Sequence, residues 1–183
     1  MIDMIIGNII QVKNIDTYVL KIPTDSIEYA LGRFVKIEKG DRAIIGVISE
    51  ITHSIKEEML PYIPPDKQPK YIPYYEDYRD SNYIIHGIGV MYKDRSESDY
   101  EYRVVYKVTI APHVRDVVKL LSNEEIRRFH TINGKQSAAY LYEHRNRLEK
   151  HVRLNMVDQL LYCLPESRNM LYLIRRHIEK EEL

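Results

Sequence analysis

The segment His144-Arg-Asn-Arg-Leu-Glu-Lys-His-Val-Arg153 holds the densest run of side chains able to grip a phosphate backbone. Arg145, Arg147, Lys150 and Arg153 are its candidate nucleic-acid contacts, because guanidinium and ammonium groups make charge-assisted hydrogen bonds to phosphate oxygens. The run follows a stretch with helix-turn-helix grammar, Ser122–Thr131 as first helix and Gly134 in the turn, which would make it a recognition helix. Glu143 and Glu149 dilute the charge, and such arginines equally describe the solvated face of an amphipathic helix.

Other chemistry fails on spacing. Asn133-Gly134-Lys135-Gln136-Ser137 invites comparison with a phosphate-binding loop, but Phe129 stands where that loop needs Gly and Gln136 follows the lysine. It reads as a turn that ends a helix. His53, His86, His113, His130, His144, His151 and His177 are scattered, and no pair has the spacing of metal ligands. Cys163 sits in an apolar helical segment, where inert burial is expected. No catalytic, cofactor-binding or metal-binding residue follows from the sequence, so a non-enzyme without cofactor is expected.

The elements that must position these residues fall into two grammars. In residues 1–111, short β-rich runs alternate with turn signals: Ile5–Val12, Thr17–Ile22, Leu31–Lys39, Ala43–Thr52, Tyr83–Tyr92 and Tyr100–Ile110. Gly40-Asp41 suits the primed turn of a tight hairpin. From Tyr100 to Ile110 every second residue is apolar or aromatic save for Val105 on the other face. About six strands without a long helix predict a small antiparallel β-barrel. Arg33, Lys36, Lys39 and Arg42 around the hairpin read as protection of a sheet edge. A Pro- and Tyr-rich excursion at 53–82, densest over 61–83, reads as an ordered loop or a stacking platform.

Residues 112–183 read as helical, so the fold class is α+β, a barrel followed by a small helical unit. Pro112 opens a helix carrying Val114, Val117, Val118 and Leu121, and Ser122-Asn-Glu-Glu125 is a capping box. A long helix is expected over Ser137–Leu164, then a break at Pro165 and a last helix to Lys180. These helices carry more apolar surface than one seam covers. Val152, Met156, Val157, Leu160, Leu161, Leu171 and Ile174 are therefore the candidate interface to a second copy across a two-fold axis.

Composition bounds the rest. The chain of 183 residues has 27 basic and 27 acidic side chains, so no global charge draws it to nucleic acid or membrane. With a single cysteine no intrachain disulfide can form. The start, Met1-Ile-Asp-Met-Ile-Ile-Gly-Asn, lacks a basic region and carries Asp3 in its apolar run, unlike a signal peptide. A cytoplasmic protein that does not engage a membrane is expected.

Ile6-Gly7-Asn8-Ile9-Ile10, Tyr18–Ile22, Leu31-Gly32-Arg33-Phe34-Val35 and Ala43-Ile44-Ile45-Gly46-Val47-Ile48-Ser49-Glu50-Ile51 resemble the HerA–ATP synthase barrel (HAS barrel) family. The exit from Ala111-Pro112-His113 to Phe129 is similar to the segment leading from barrel to motor in such proteins, so the likeness covers about residues 1–130. In that family the barrel precedes a RecA-like ATPase, crowns a hexameric DNA-translocating ring and docks a nuclease. This chain carries no Walker A or B motif and too few residues after 130 for the motor. The resemblance implies a barrel without its ATPase: an assembly or docking subunit that self-associates or joins a ring ATPase or nuclease in DNA processing or repair. A nucleic-acid-binding module using 144–153 is the alternative.

Overall fold

The computed structural model describes residues 4–22, 29–55, 79–95 and 100–181. Of the Pro- and Tyr-rich excursion expected at 53–82, residues 56–78 lie outside them, and its two ends, 53–55 and 79–82, are strand and not loop.

β1 (Ile5–Asn14) and β2 (Thr17–Lys21) form the first hairpin, its turn tied by Asp16 N–H donating to Asn14 Oδ1 at 3.0 Å. β3 (Phe34–Lys39) and β4 (Arg42–Ile55) form the second across Gly40-Asp41, with Gly40 at φ 64° as expected. β5 (Arg79–Arg95), β6 (Tyr100–Val105) and β7 (Val117–Leu120) complete the main sheet. The order β1-β7-β3-β4-β5-β2 closes on itself because β2 pairs with both β1 and β5. A closed six-stranded antiparallel barrel results.

Its sixth strand is not the one expected. Tyr100–Val105 extends the outer end of β5, pairing with Val90–Arg95 beyond the reach of β2, which pairs with Asn82–His86. The missing strand is β7, within the stretch read as a helix over Val114–Leu121. A four-residue strand is too short to display a period, and Val117 and Val118 match helical spacing by accident. Tertiary pairing decides: β7 fills the slot between β1 and β3, whose facing edges would otherwise stay unpaired. The barrel therefore runs past 111 to Leu120.

The wall made of β3, β4 and β5 is apolar on both faces. Val35, Ile37, Ile44, Ile48 and Ile85 point to the barrel interior with Ile6, Ile9, Tyr18 and Leu20. Phe34, Ala43, Ile45, Val47 and Met91 point outward, into a second core shared with the helical unit. Such continuous runs mark strands covered on both sides.

The helical unit begins with α1 (Asn123–Phe129), capped as predicted: Glu125 N–H donates to Ser122 Oγ at 3.3 Å and Ser122 N–H donates to Glu125 Oε2 at 2.9 Å. The other oxygen of Glu125 accepts from Lys36 Nζ at 2.5 Å, riveting the helix start to the barrel. Lys36 is thus a buried ion-pair partner and does not protect an edge.

Asn133 and Gly134 both take positive φ, 50° and 73°, in a two-residue type I′ turn joining β8 (Thr131–Ile132) to β9 (Lys135–Gln136). The expected helix-ending turn is a hairpin, which removes the helix-turn-helix arrangement. The long helix over Ser137–Leu164 is also divided, into α2 (Tyr140–Glu143) and α3 (Lys150–Cys163), with turns between. Pro165 breaks the chain as expected, and α4 (Arg168–Lys180) follows. Arg175 of α4 pairs with Asp158 of α3, and Lys150 reaches the carbonyls of Glu179 and Glu181, so the two helices run antiparallel.

Gly32 marks where α3 lands on the barrel. It sits at φ 82°, and a Cβ there would lie 2.9 Å from both the Val152 carbonyl oxygen and Asn155 Cβ. Gln159 Nε2 donates to its carbonyl at 2.7 Å. Gly32→Val is expected to cost on the order of 3 kcal/mol, from backbone strain plus displacement of α3. A urea midpoint equal to that of the unaltered protein would contradict this.

Candidate functional site

Arg145, Arg147, Lys150 and Arg153 were legible as a charged run but not as a helix face. Only Lys150 and Arg153 lie on α3, while Arg145 and Arg147 lie in the turns before it. The bend brings all four onto one cleft of about 250 Å³, lined also by Glu149 and Glu181.

Each cation has a distinct environment. Arg147 pairs with Asp16 in the β1–β2 turn, a residue only 8% exposed. Lys150 Nζ donates to the carbonyls of Glu179 and Glu181, both at 2.8 Å. Arg153 is buried: its Nε donates to Leu148 O at 3.2 Å, and its two terminal nitrogens grip the Glu181 carboxylate at 3.2 and 2.5 Å. That grip, aided by the charges of His177 and Arg145, holds the Glu181 carboxyl below the usual carboxylate range, against a smaller opposing effect of burial. Arg145 lies 4.0 Å over the ring of exposed Tyr142 and forms no ion pair among the described residues.

Beside the cleft, the turns are pinned to the barrel by a histidine pair. His86 Nε2 and His144 Nδ1 share a hydrogen bond of 2.8 Å, with the rings edge to face. Burial, helped by His144 and Arg147 and opposed by Asp16, pushes the His86 imidazole down to about 4. Burial also lowers His144, as does Arg147, while Asp16 and Glu143 oppose. These residues are 58 apart in sequence, so no spacing rule could have joined them. A third histidine, His130, is fully buried, with Nδ1–H donating to Ile126 O at 2.6 Å and Nε2 accepting from Tyr140 at 2.7 Å. Those two bonds occupy both ring nitrogens, so its role is to hold the second core together. Among the described residues no cluster of three or more histidine, cysteine or acidic side chains is arranged to hold a metal ion.

The candidate interface is corrected. Val152, Met156, Val157, Leu160 and Leu171 are wholly buried inside one chain, and Leu161 and Ile174 pack half-buried against the same core. The outer face of β3–β4–β5 supplies the apolar partner missing from the sequence pattern. Cys163 is buried as expected, and burial raises its thiol. Exposed apolar side chains lie elsewhere. Met4, Ile5, Ile10, Val114 and Val117 lie on or next to β1 and β7, on a wall that contributes nothing to the second core, and Tyr162 and Leu173 stand on the outer surface of the helices.

Residues 6–182 match the model of a family described as a domain of unknown function (DUF8166). The chain belongs to that family. No curated protein matches its sequence. No helix among the described residues is long and apolar enough to cross a membrane.

Proposed function

We propose that the protein is a non-enzymatic docking subunit that assembles with further copies of itself through the bare β1–β7 wall. The observation that carries this reading is the distribution of exposed apolar residues. Ile5 is 61% exposed and Val117 40%, on strands that pair directly, with Met4, Ile10 and Val114 beside them. Exposed apolar clusters of this kind mark interaction surfaces. Charges around the wall are already matched within the chain: Lys39 with Asp116 at 2.8 Å and Lys119 with Glu38 at 2.7 Å. With a formal net charge of zero, identical chains meet without electrostatic opposition. Resemblance to the HAS barrel family extends the reading to a ring ATPase or its nuclease in DNA processing.

The double substitution Ile5→Lys, Val117→Lys places charges on exposed positions and should leave the melting temperature nearly unchanged. Light scattering is expected to show an oligomer for the unaltered protein and a monomer for the variant. A variant that keeps the full mass, or an unaltered protein that is already monomeric, rejects the wall as the interface.

A second reading, nucleic-acid binding, is favoured by the convergence of Arg145, Arg147, Lys150 and Arg153 on one cleft. Phosphate-dominated binding weakens steeply with salt. Anisotropy of a labelled oligonucleotide between about 50 and 200 mM salt tests it, and no binding at the lower value removes it.

A further inference from the structure

We infer that the Glu181 carboxylate holds the place of a backbone phosphate in the basic cleft, so that the protein caps its own binding site for single-stranded nucleic acid. This rests on the second reading above and adds the self-capping to it.

Arg153 is 5% exposed, and with Nε spent on Leu148 O, its remaining N–H groups face Glu181 as a fork. A fork of parallel N–H donors accepts two oxygens of a carboxylate or of a phosphate with the same geometry. The site is therefore built for a two-oxygen anion and already contains one. Surrounding charge exceeds what that anion supplies. Asp16 matches Arg147, and Glu149, whose neighbour His151 at 3.2 Å is charged only when protonated, offsets one of Arg145 and Lys150, which leaves one surplus cation on the cleft. Lys150 meets only backbone carbonyls, and Arg145 lies over an aromatic ring.

One feature favours a nucleic-acid strand over a free anion. Tyr142 is 63% exposed with the Arg145 guanidinium stacked above it, a cation–aromatic pair suited to carrying a base beside a bound phosphate. Release needs little rearrangement. The Glu181 N–H donates to Ile178 O at 3.2 Å and its carbonyl accepts from Lys150 at 2.8 Å, so release is a rotation of the side chain alone and leaves the backbone bonds in place.

The test is fluorescence anisotropy of a labelled oligothymidylate with the full chain at about 50 mM salt. Glu181→Gln keeps the side-chain shape and removes the competing charge, and it is expected to bind about five- to tenfold tighter than the unaltered protein. Glu181→Asp retracts the charge and should bind about two- to threefold tighter, which keeps the test open if Gln fails to fold. Asp41→Asn makes the same charge change on the exposed β3–β4 turn, outside the cleft lining, and should shift affinity by less than about twofold. Arg145→Ala should weaken binding in every background. If the unaltered protein binds and the Glu181 variants bind no tighter, or if Asp41→Asn tightens as much as Glu181→Gln, the capping inference is overturned while the nucleic-acid reading stands. If no form binds, both fall.

Discussion

A chain ended after Thr131 is expected to be insoluble or to melt without a cooperative transition, although the barrel strands all precede that point. Phe34, Ala43, Ile45, Val47 and Met91 on the outer wall, and Phe129 of α1, are covered by residues such as Tyr140, Val152, Met156 and Leu160. Uncovering large apolar side chains costs about 1.5–3 kcal/mol each, and several together exceed the roughly 5–15 kcal/mol that a domain has to lose. Lys36 would keep Glu125, so the damage is a loss of apolar cover and not of ion pairing. Soluble yield and near-ultraviolet circular dichroism of the truncated chain check this. A soluble barrel with a sharp melt would mean that the helical unit is dispensable for folding.

Acid should destabilise the protein well above the carboxylate range. His86 and His130 are held neutral in the folded protein, each with its titration pushed down to about 4 chiefly by burial. In the unfolded chain both protonate near the usual value of about 6.5. Between those limits the unfolded state binds more protons, so stability is complete above about pH 6.5 and falls as pH drops towards 4. Each histidine contributes about 3 kcal/mol over that window, a large share of net stability for the pair. Glu38 and Glu125 titrate below the usual carboxylate range, so their loss begins only at lower pH and does not mimic the effect. Urea unfolding at pH 7, 6 and 5 should give steadily lower midpoints, with a shallower decline for His86→Gln. Equal midpoints at pH 7 and pH 5 would mean that neither imidazole is kept neutral by folding.

Short-range rules carried much of the fold. Alternation over Val35–Ile51 and the turn at Gly40-Asp41 placed the central hairpin. The Ser122–Glu125 capping box started α1, and Pro165 ended α3. Even past the end of β6, Tyr106, Val108 and Ile110 are less exposed than Lys107 and Thr109, in keeping with the alternation read over Tyr100–Ile110. Asn133-Gly134 is a hairpin signal as strong as any, but in the sequence alone the helical spacing on either side outweighs it.

What the sequence determined by itself is local: where the backbone turns, which residues cap a helix, and which side of a strand is apolar. Those features depend on torsion preferences and hydrogen bonds within a few residues. Tertiary structure alone decided that β7 closes the barrel, because a four-residue strand has no period and is held by partners in β1 and β3. It also decided that the apolar stripe of α3 is buried within the chain, since that depends on the outer wall of β3–β4–β5 being apolar too. The cleft belongs to the same class. Asp16 with Arg147, His86 with His144 and Arg153 with Glu181 are pairs separated by 131, 58 and 28 residues, and only chain closure brings them within hydrogen-bond reach.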